Sequence, residues 1–127
     1  MFSETLNPTA FRLYQHFLKW FIDYFSENFP NPVSVLDVGC AQGNFSLTLA
    51  EMGHRVTSVD IQPEFIEYAK SKYEFGEINW RVGNILDLDI DEKFDVILFG
   101  EILEHTLKPQ EILIRSKNLL KNKGVII

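Results

Sequence analysis

The chain is short of several things, and each shortage removes a class of protein. Only one cysteine, Cys40, occurs in 127 residues, so no internal disulfide forms and a reducing, cytoplasmic setting is expected. No apolar run approaches the roughly 20 residues of a membrane-spanning helix, and no membrane insertion is expected. The opening Met-Phe-Ser-Glu-Thr lacks the basic and apolar regions of a signal peptide. Basic residues are in deficit: 12 Lys and Arg face 18 Asp and Glu, a net charge of −6. That balance argues against nonspecific nucleic-acid binding. Some of the acid is local, with Asp87, Asp89, Asp91 and Glu92 in what reads as a solvated loop. Repeats, low-complexity tracts and linkers are missing too. What remains is one domain, long enough to bury a core of its own.

The most informative stretch is Val33-Ser-Val-Leu-Asp-Val-Gly-Cys-Ala-Gln-Gly-Asn-Phe-Ser46. Val33, Val35, Leu36 and Val38 read as a buried strand. Gly39 and Gly43 then let the backbone bend and something approach closely. Phe45, Leu47, Leu49 and Ala50 begin a helical repeat, and Asn44 or Ser46 is placed to cap it. Such a turn is expected to aim free backbone N–H groups and the positive end of a helix at one ligand. A dinucleotide fingerprint requires Gly-x-Gly-x-x-Gly, whereas here the spacing is Asp37-x-Gly39-x-x-x-Gly43. An anionic Asp37 is awkward beside a pyrophosphate and convenient for an ammonium or sulfonium group. After a second apolar run, residues 55–59, comes Asp60, a strand-end carboxylate able to accept from both hydroxyls of a ribose. A helix cap ahead of Pro63 is the plainer role for Asp60, but it leaves the glycine turn unexplained. Cys40 looks reactive in the turn; a small buried filler is the plainer reading.

Strand signals at about 33–38, 55–60, 78–82, 94–100 and 124–127 alternate with helical ones at 44–52, 63–74 and 108–121, where Gly124 reads as a stop. Pro63 and Pro109 suit first helical turns. This alternation predicts an α/β, doubly wound parallel sheet in three layers, with ligands at the carboxyl ends of the strands. Ahead of it, residues 1–30 hold a long helix at about 9–27. Eight of the seventeen aromatics lie between Phe11 and Phe29, with Phe11, Tyr14, Leu18, Phe21 and Phe25 in one stripe and Phe17, Trp20 and Tyr24 beside it. Core packing is the default for such a face; a lid over the ligand cleft, or a homodimer contact, is the further expectation. Residues 31–127 form the ligand-binding unit.

Together, Leu36-Asp-Val-Gly-Cys-Ala-Gln-Gly43, Asp60, Gly83-Asn84 and Phe94-Asp-Val-Ile-Leu-Phe-Gly-Glu-Ile-Leu-Glu-His105 resemble the class I S-adenosylmethionine-dependent methyltransferases. The likeness spans roughly residues 33–127 and is nearest the small-molecule branch whose motif after the fourth strand reads Glu-x-x-Glu-His, a branch that includes quinone O-methyltransferases. One departure is Ala41-Gln42, where Gly-Thr or Gly-Gly is commoner. The resemblance implies that Gly39, Cys40, Ala41, Gly43 and the following amides hold the methionine part of S-adenosylmethionine, with Asp37 near its ammonium. Asp60 grips the ribose, Ile61 lies on the adenine face, and Ile85 lines the same site. Asn84 stands where relatives often carry Asp and either reads adenine N6 and N1 or simply stabilises a turn. Phe99 and Gly100 supply backbone to the methionine end, and Arg12 is a candidate for the cofactor's carboxylate. The resemblance also implies a further helix and two strands after the fifth, so the chain is expected to be a truncated piece of a longer enzyme.

Glu101, Glu104 and His105 stand at i, i+3 and i+4, and converge if a helical turn follows the fourth strand. Two carboxylates and an imidazole suit Mg²⁺ or Mn²⁺. His105, with Glu101 beside it, is alternatively the general base, and a helix start with an exposed histidine is the third reading. His16 and His54 read as structural. The leading function is methyl transfer to a small-molecule acceptor. The alternatives are a cofactor-binding lobe without turnover, an RNA 2′-O-methyltransferase, which the acidity disfavours, and an NAD-dependent oxidoreductase, which the glycine spacing disfavours.

Overall fold

Ser34–Val38 is buried at all five positions and Phe94–Phe99 at four of six, with none exposed, as expected of central parallel strands covered on both faces. A computed structural model of the chain describes residues 8–41, 43–73, 76–99 and 106–127, with the backbone alone for Ala10, Phe11 and Tyr14. The elements run α1 (Pro8–Asn28), β1 (Ser34–Val38), α2 (Asn44–Glu51), β2 (Arg55–Asp60), α3 (Pro63–Lys72), β3 (Glu77–Val82), β4 (Phe94–Phe99), α4 (Pro109–Asn118) and β5 (Leu120–Ile126). The five strands are all parallel, in the order β3-β2-β1-β4-β5. The order reverses between β1 and β4, which places a ligand crevice at their carboxyl ends.

The chain divides into two units, residues 1–31 and 32–127. In the first, α1 carries a ladder of rings: Phe17–Trp20, Trp20–Tyr24, Phe21–Phe25 and Phe25–Phe29 have centroids 5.7, 5.4, 4.9 and 5.3 Å apart. Residues three and four apart share a helix face, so these rings stack along one side. Arg12 is exposed, and its Nε donates to the Pro8 carbonyl 3.4 Å away.

In the second unit α2 and α3 pack on one another and against β2 and β3. The other face is filled by Leu36, Val38, Val59, Ile85, Phe94, Ile97, Ile112 and Leu119. Strand side chains alternate between faces, so Leu36 and Val38 join this core while Asp37 points to the opposite one, towards α2. His54, ahead of β2, is buried, and its Nδ1 accepts from the Val33 amide at 3.1 Å. Burial, then the Arg55 charge, lowers its pKa; it is a structural histidine. Among the described residues no helix is long and apolar enough to cross a membrane.

The last turn of the fold departs from the expectation. α4 stops at Asn118 and the strand begins at Leu120, not 124. Leu119 is buried and Phe94 donates to its carbonyl, so the chain must already run beside β4. Phe94 pairs with Leu120 and Val96 with Val125, so a step of two residues on β4 is matched by five on β5. Gly124 therefore lies within the strand rather than behind the helix. A Cβ there would stand 2.6 Å from Leu120 Cδ1, the side chain that folds over it.

Arg115 ties α4 to the loop after β3, its Nε donating to the Ile85 carbonyl at 3.3 Å and Nη2 to the Leu88 carbonyl at 2.7 Å. Losing both bonds leaves two carbonyls unpaired. Arg115→Met is expected to lower unfolding stability by about 1–2 kcal/mol, read by urea denaturation.

Candidate functional site

The site is built where β1 and β2 end side by side. Their register pairs Asp37 with Ser58 and Val38 with Val59, so both strands release their chains at one level. The turn after β1 uses that neighbour. Gly39 and Cys40 donate to the Val59 carbonyl at 2.8 and 3.0 Å, Ala41 donates to Asp60 Oδ2 at 2.9 Å, and Gly43 donates to the Cys40 carbonyl at 2.8 Å. The expectation of free amides in the turn is thereby corrected: those at 39, 40, 41 and 43 are spent on the fold itself. Gly39, Ala41 and Gly43 all have positive φ, 74, 50 and 79°. The left-handed bend at Ala41 is the position where a glycine is commoner, and it is held by the Asp60 bond.

Gly43 has a packing reason to be bare. A Cβ on it would lie 2.7 Å from Ala69 Cβ and 3.3 Å from Trp80 Cη2, so it lets α2 meet α3 and β3. It is the N-cap of α2, and among the described residues no side-chain capping bond is made there. Asn44 and Ser46 therefore do not play the capping role the sequence suggested. The Ser46 hydroxyl is drawn elsewhere, 2.6 Å from Asp37 Oδ2, and Ser58 donates to Ser46 at 2.5 Å. This buried chain of hydroxyls was not anticipated. The available signal was the pair of hydroxyl residues inside the apolar strand Arg55–Asp60, a poor place for them without partners.

Asp37 is unusually placed for a carboxylate. The residue is 1% exposed, and its Oδ1 is buried with no hydrogen-bond partner among the described residues. Burial pushes its pKa from 3.8 up to about 6; the Ser46 bond opposes this, and the Asp60 charge adds to it. A lone carboxylate oxygen held away from water is costly unless a positive ligand completes it. Asp60, also buried, accepts from the Ala41 amide with Oδ2 and from the Gln62 amide with Oδ1, both at 2.9 Å. It therefore shapes the turn and the entry to α3, and each oxygen keeps a second lone pair for a hydroxyl. Ile61 beside it is 65% exposed, an apolar side chain available to a flat ligand.

Other expected site residues lie differently. Ile85 is buried in the core opposite, and its carbonyl is taken by Arg115, so its side chain does not line the site. Asn84 adjoins the end of β2, where the Gly83 amide meets the Asp60 carbonyl at 2.9 Å. Its Oδ1 accepts from the Leu86 amide at 3.0 Å, the turn-stabilising of its two candidate roles. Phe99 packs on the core, and its amide donates to Ile127. Cys40 is 8% exposed, and burial, with Asp37 and Asp60 adding to it, pushes the thiol pKa far above the usual range. It is a filler, not a nucleophile. Gly100, Glu101, Glu104 and His105, with the catalytic and metal roles expected of them, lie outside the described residues.

A family model described as a methyltransferase domain matches residues 31–127. The chain belongs to the class I S-adenosylmethionine-dependent methyltransferases. A curated relative from Xylella fastidiosa, a ubiquinone biosynthesis O-methyltransferase, is 38% identical over 108 residues, covering 81% of this chain and 44% of its own. The N-methyltransferase NodS from Bradyrhizobium japonicum, solved with S-adenosyl-L-homocysteine, superposes with a TM-score of 0.68 at 26% identity, over 76% of this chain and 52% of its own. A TehB-like S-adenosylmethionine-dependent methyltransferase from Corynebacterium glutamicum gives 0.70 at 26% identity, over 94% and 73%. The chain spans 44% of the length of the Xylella fastidiosa relative, less than half of that enzyme. The five parallel strands and flanking helices described above match that family's Rossmann-like fold.

Proposed function

We propose that this chain forms the S-adenosylmethionine-binding part of an enzyme that methylates a small molecule. The single observation that carries the reading is the orphaned, buried Asp37 Oδ1 at the end of β1, a counter-charge waiting for an ammonium group. S-adenosylmethionine, when bound, supplies a methyl group on a sulfonium, an excellent leaving group. The chain's own task is then to bind, align and exclude water. Asp37 holds the ammonium, Asp60 takes the ribose hydroxyls on its remaining lone pairs, and Ile61 lies against the adenine. Asn84 keeps its Nδ2 as a donor to the base edge, and the methionine end is assigned to the end of β4 at Phe99, with Gly100 assigned there from the sequence alone. For an acceptor that arrives protonated, His105 with Glu101 is the base we assign from the sequence.

The relatives named above support the acceptor class: one is named for ubiquinone biosynthesis and another for N-methylation. Calorimetry with S-adenosylhomocysteine tests the reading. Asp60→Ala is expected to weaken binding by about 1–3 kcal/mol through lost bonds to a charged acceptor. Equal affinity of the two proteins, or tight NADH binding by the unchanged one, would count against it.

A further inference from the structure

We propose that Ser46 and Ser58 are positioning residues, a buried relay of two hydroxyls that occupies one oxygen of Asp37 and so dedicates the other, Oδ1, to a ligand's ammonium group. The proposal rests on the cofactor reading above and assigns roles to two residues outside the glycine turn and the strand-end acids.

The strand register places Ser58 directly beside Asp37, and side chains paired across a sheet share a face. α2 covers that face and lowers Ser46 between them. An ionised carboxylate only accepts hydrogen bonds, so Ser46 must donate to Asp37 Oδ2. Its single proton is then spent, its oxygen can only accept from Ser58, and the direction of the whole chain is fixed. Hydrogen bonds in series polarise one another, so Ser58 strengthens the hold of Ser46 on Oδ2 without touching Asp37.

Plain satisfaction of buried polar groups does not account for this arrangement. Ser116, in α4, shows that the fold tolerates an unpartnered buried hydroxyl. An unpartnered carboxylate oxygen costs far more than an unpartnered hydroxyl, yet the relay secures Oδ2 and leaves Oδ1 bare. The titratable groups facing Asp37 are Asp60, at the end of β2, and the Cys40 thiol in the turn. α2 offers no acid in its first turn and no base in its last. Among the described residues no cation answers Oδ1, which leaves it free to take a ligand's ammonium group.

The test separates the ammonium contact from the rest of the ligand. S-adenosylhomocysteine carries the amino-acid tail, while 5′-methylthioadenosine keeps the nucleoside and thioether but lacks that tail. Calorimetry on the unchanged protein, Ser46→Ala and Ser58→Ala is expected to show S-adenosylhomocysteine weakened about tenfold and about threefold respectively, with 5′-methylthioadenosine changed less than about twofold. Equal weakening of both ligands would mean a merely structural role, and unchanged S-adenosylhomocysteine affinity in both variants would also overturn the proposal. Ser58→Ala leaves the Ser46–Asp37 bond in place and decides the matter should Ser46→Ala fail to fold. Failure of the unchanged protein to bind either ligand would instead overturn the cofactor reading.

Discussion

Asp37→Asn is expected to make the ligand-free protein more stable at pH 8 while costing it about thirtyfold or more in S-adenosylhomocysteine affinity. The two effects share one cause. Ionised Asp37 is buried, receives one hydrogen bond from Ser46, and among the described residues has no partner for Oδ1. Moving a carboxyl from 3.8 to about 6 corresponds to about 3 kcal/mol of penalty on its charged form. Asparagine keeps an acceptor for Ser46 and removes the charge, so about 1–3 kcal/mol is recovered, less whatever its own buried amide loses. The sign follows from proton binding. The folded state holds this proton more tightly than the unfolded chain, so the stability contributed by Asp37 is complete below about pH 4 and is lost as pH rises through about 6. Melting temperatures of the two proteins should therefore nearly coincide at pH 4 and differ most at pH 8. Ligand binding runs the opposite way, because an ammonium group pairs with the carboxylate and meets only an amide in the variant. Affinity of the unchanged protein should fall between pH 7.5 and 5.5, and that of Asp37→Asn should stay flat across the same range.

The same residue shows how far a sequence can be read. The turn with Asp37, Gly39 and Gly43 beside the strand-end Asp60 was legible because glycine spacing and strand-end acids are local patterns. The parallel sheet was legible because apolar runs alternate with helical ones. Partnerships were not. That Ser58 stands beside Asp37 depends on the register of two strands with a helix between them, and no spacing along the chain encodes that. The amides at 39, 40 and 41 looked free because their acceptors, the Val59 carbonyl and the Asp60 carboxylate, sit about twenty residues away in sequence. The resemblance implied a site role for Ile85, whereas its side chain lies in the core opposite, just after the turn that Asn84 Oδ1 holds. Gly124 was misplaced for a related reason: helix-stop and strand-irregularity glycines look alike until Leu120 is seen folded over one of them.

Gly43→Ala separates two explanations of a glycine that ordinarily coincide. If the bare Cα serves a ligand, the substitution should spare stability and abolish binding. The geometry points the other way. The added methyl would sit 2.7 Å from Ala69 Cβ, on an α3 backbone that cannot yield without moving the helix, and 3.3 Å from the Trp80 ring. The residue's φ of 79° adds strain for any L side chain, about 1–2 kcal/mol, and overpacking adds about 1–3 kcal/mol. A destabilisation of about 2–5 kcal/mol is expected by urea unfolding, enough to threaten a domain of ordinary stability. Affinity of the folded fraction for S-adenosylhomocysteine should change by less than about tenfold. The second-site change Ala69→Gly relieves the steric part but not the backbone strain, and itself costs about 1 kcal/mol in a helix. A double-mutant cycle should accordingly return a favourable coupling of about 1–2 kcal/mol. A coupling near zero would mean that the α2–α3 contact does not explain why residue 43 has no side chain.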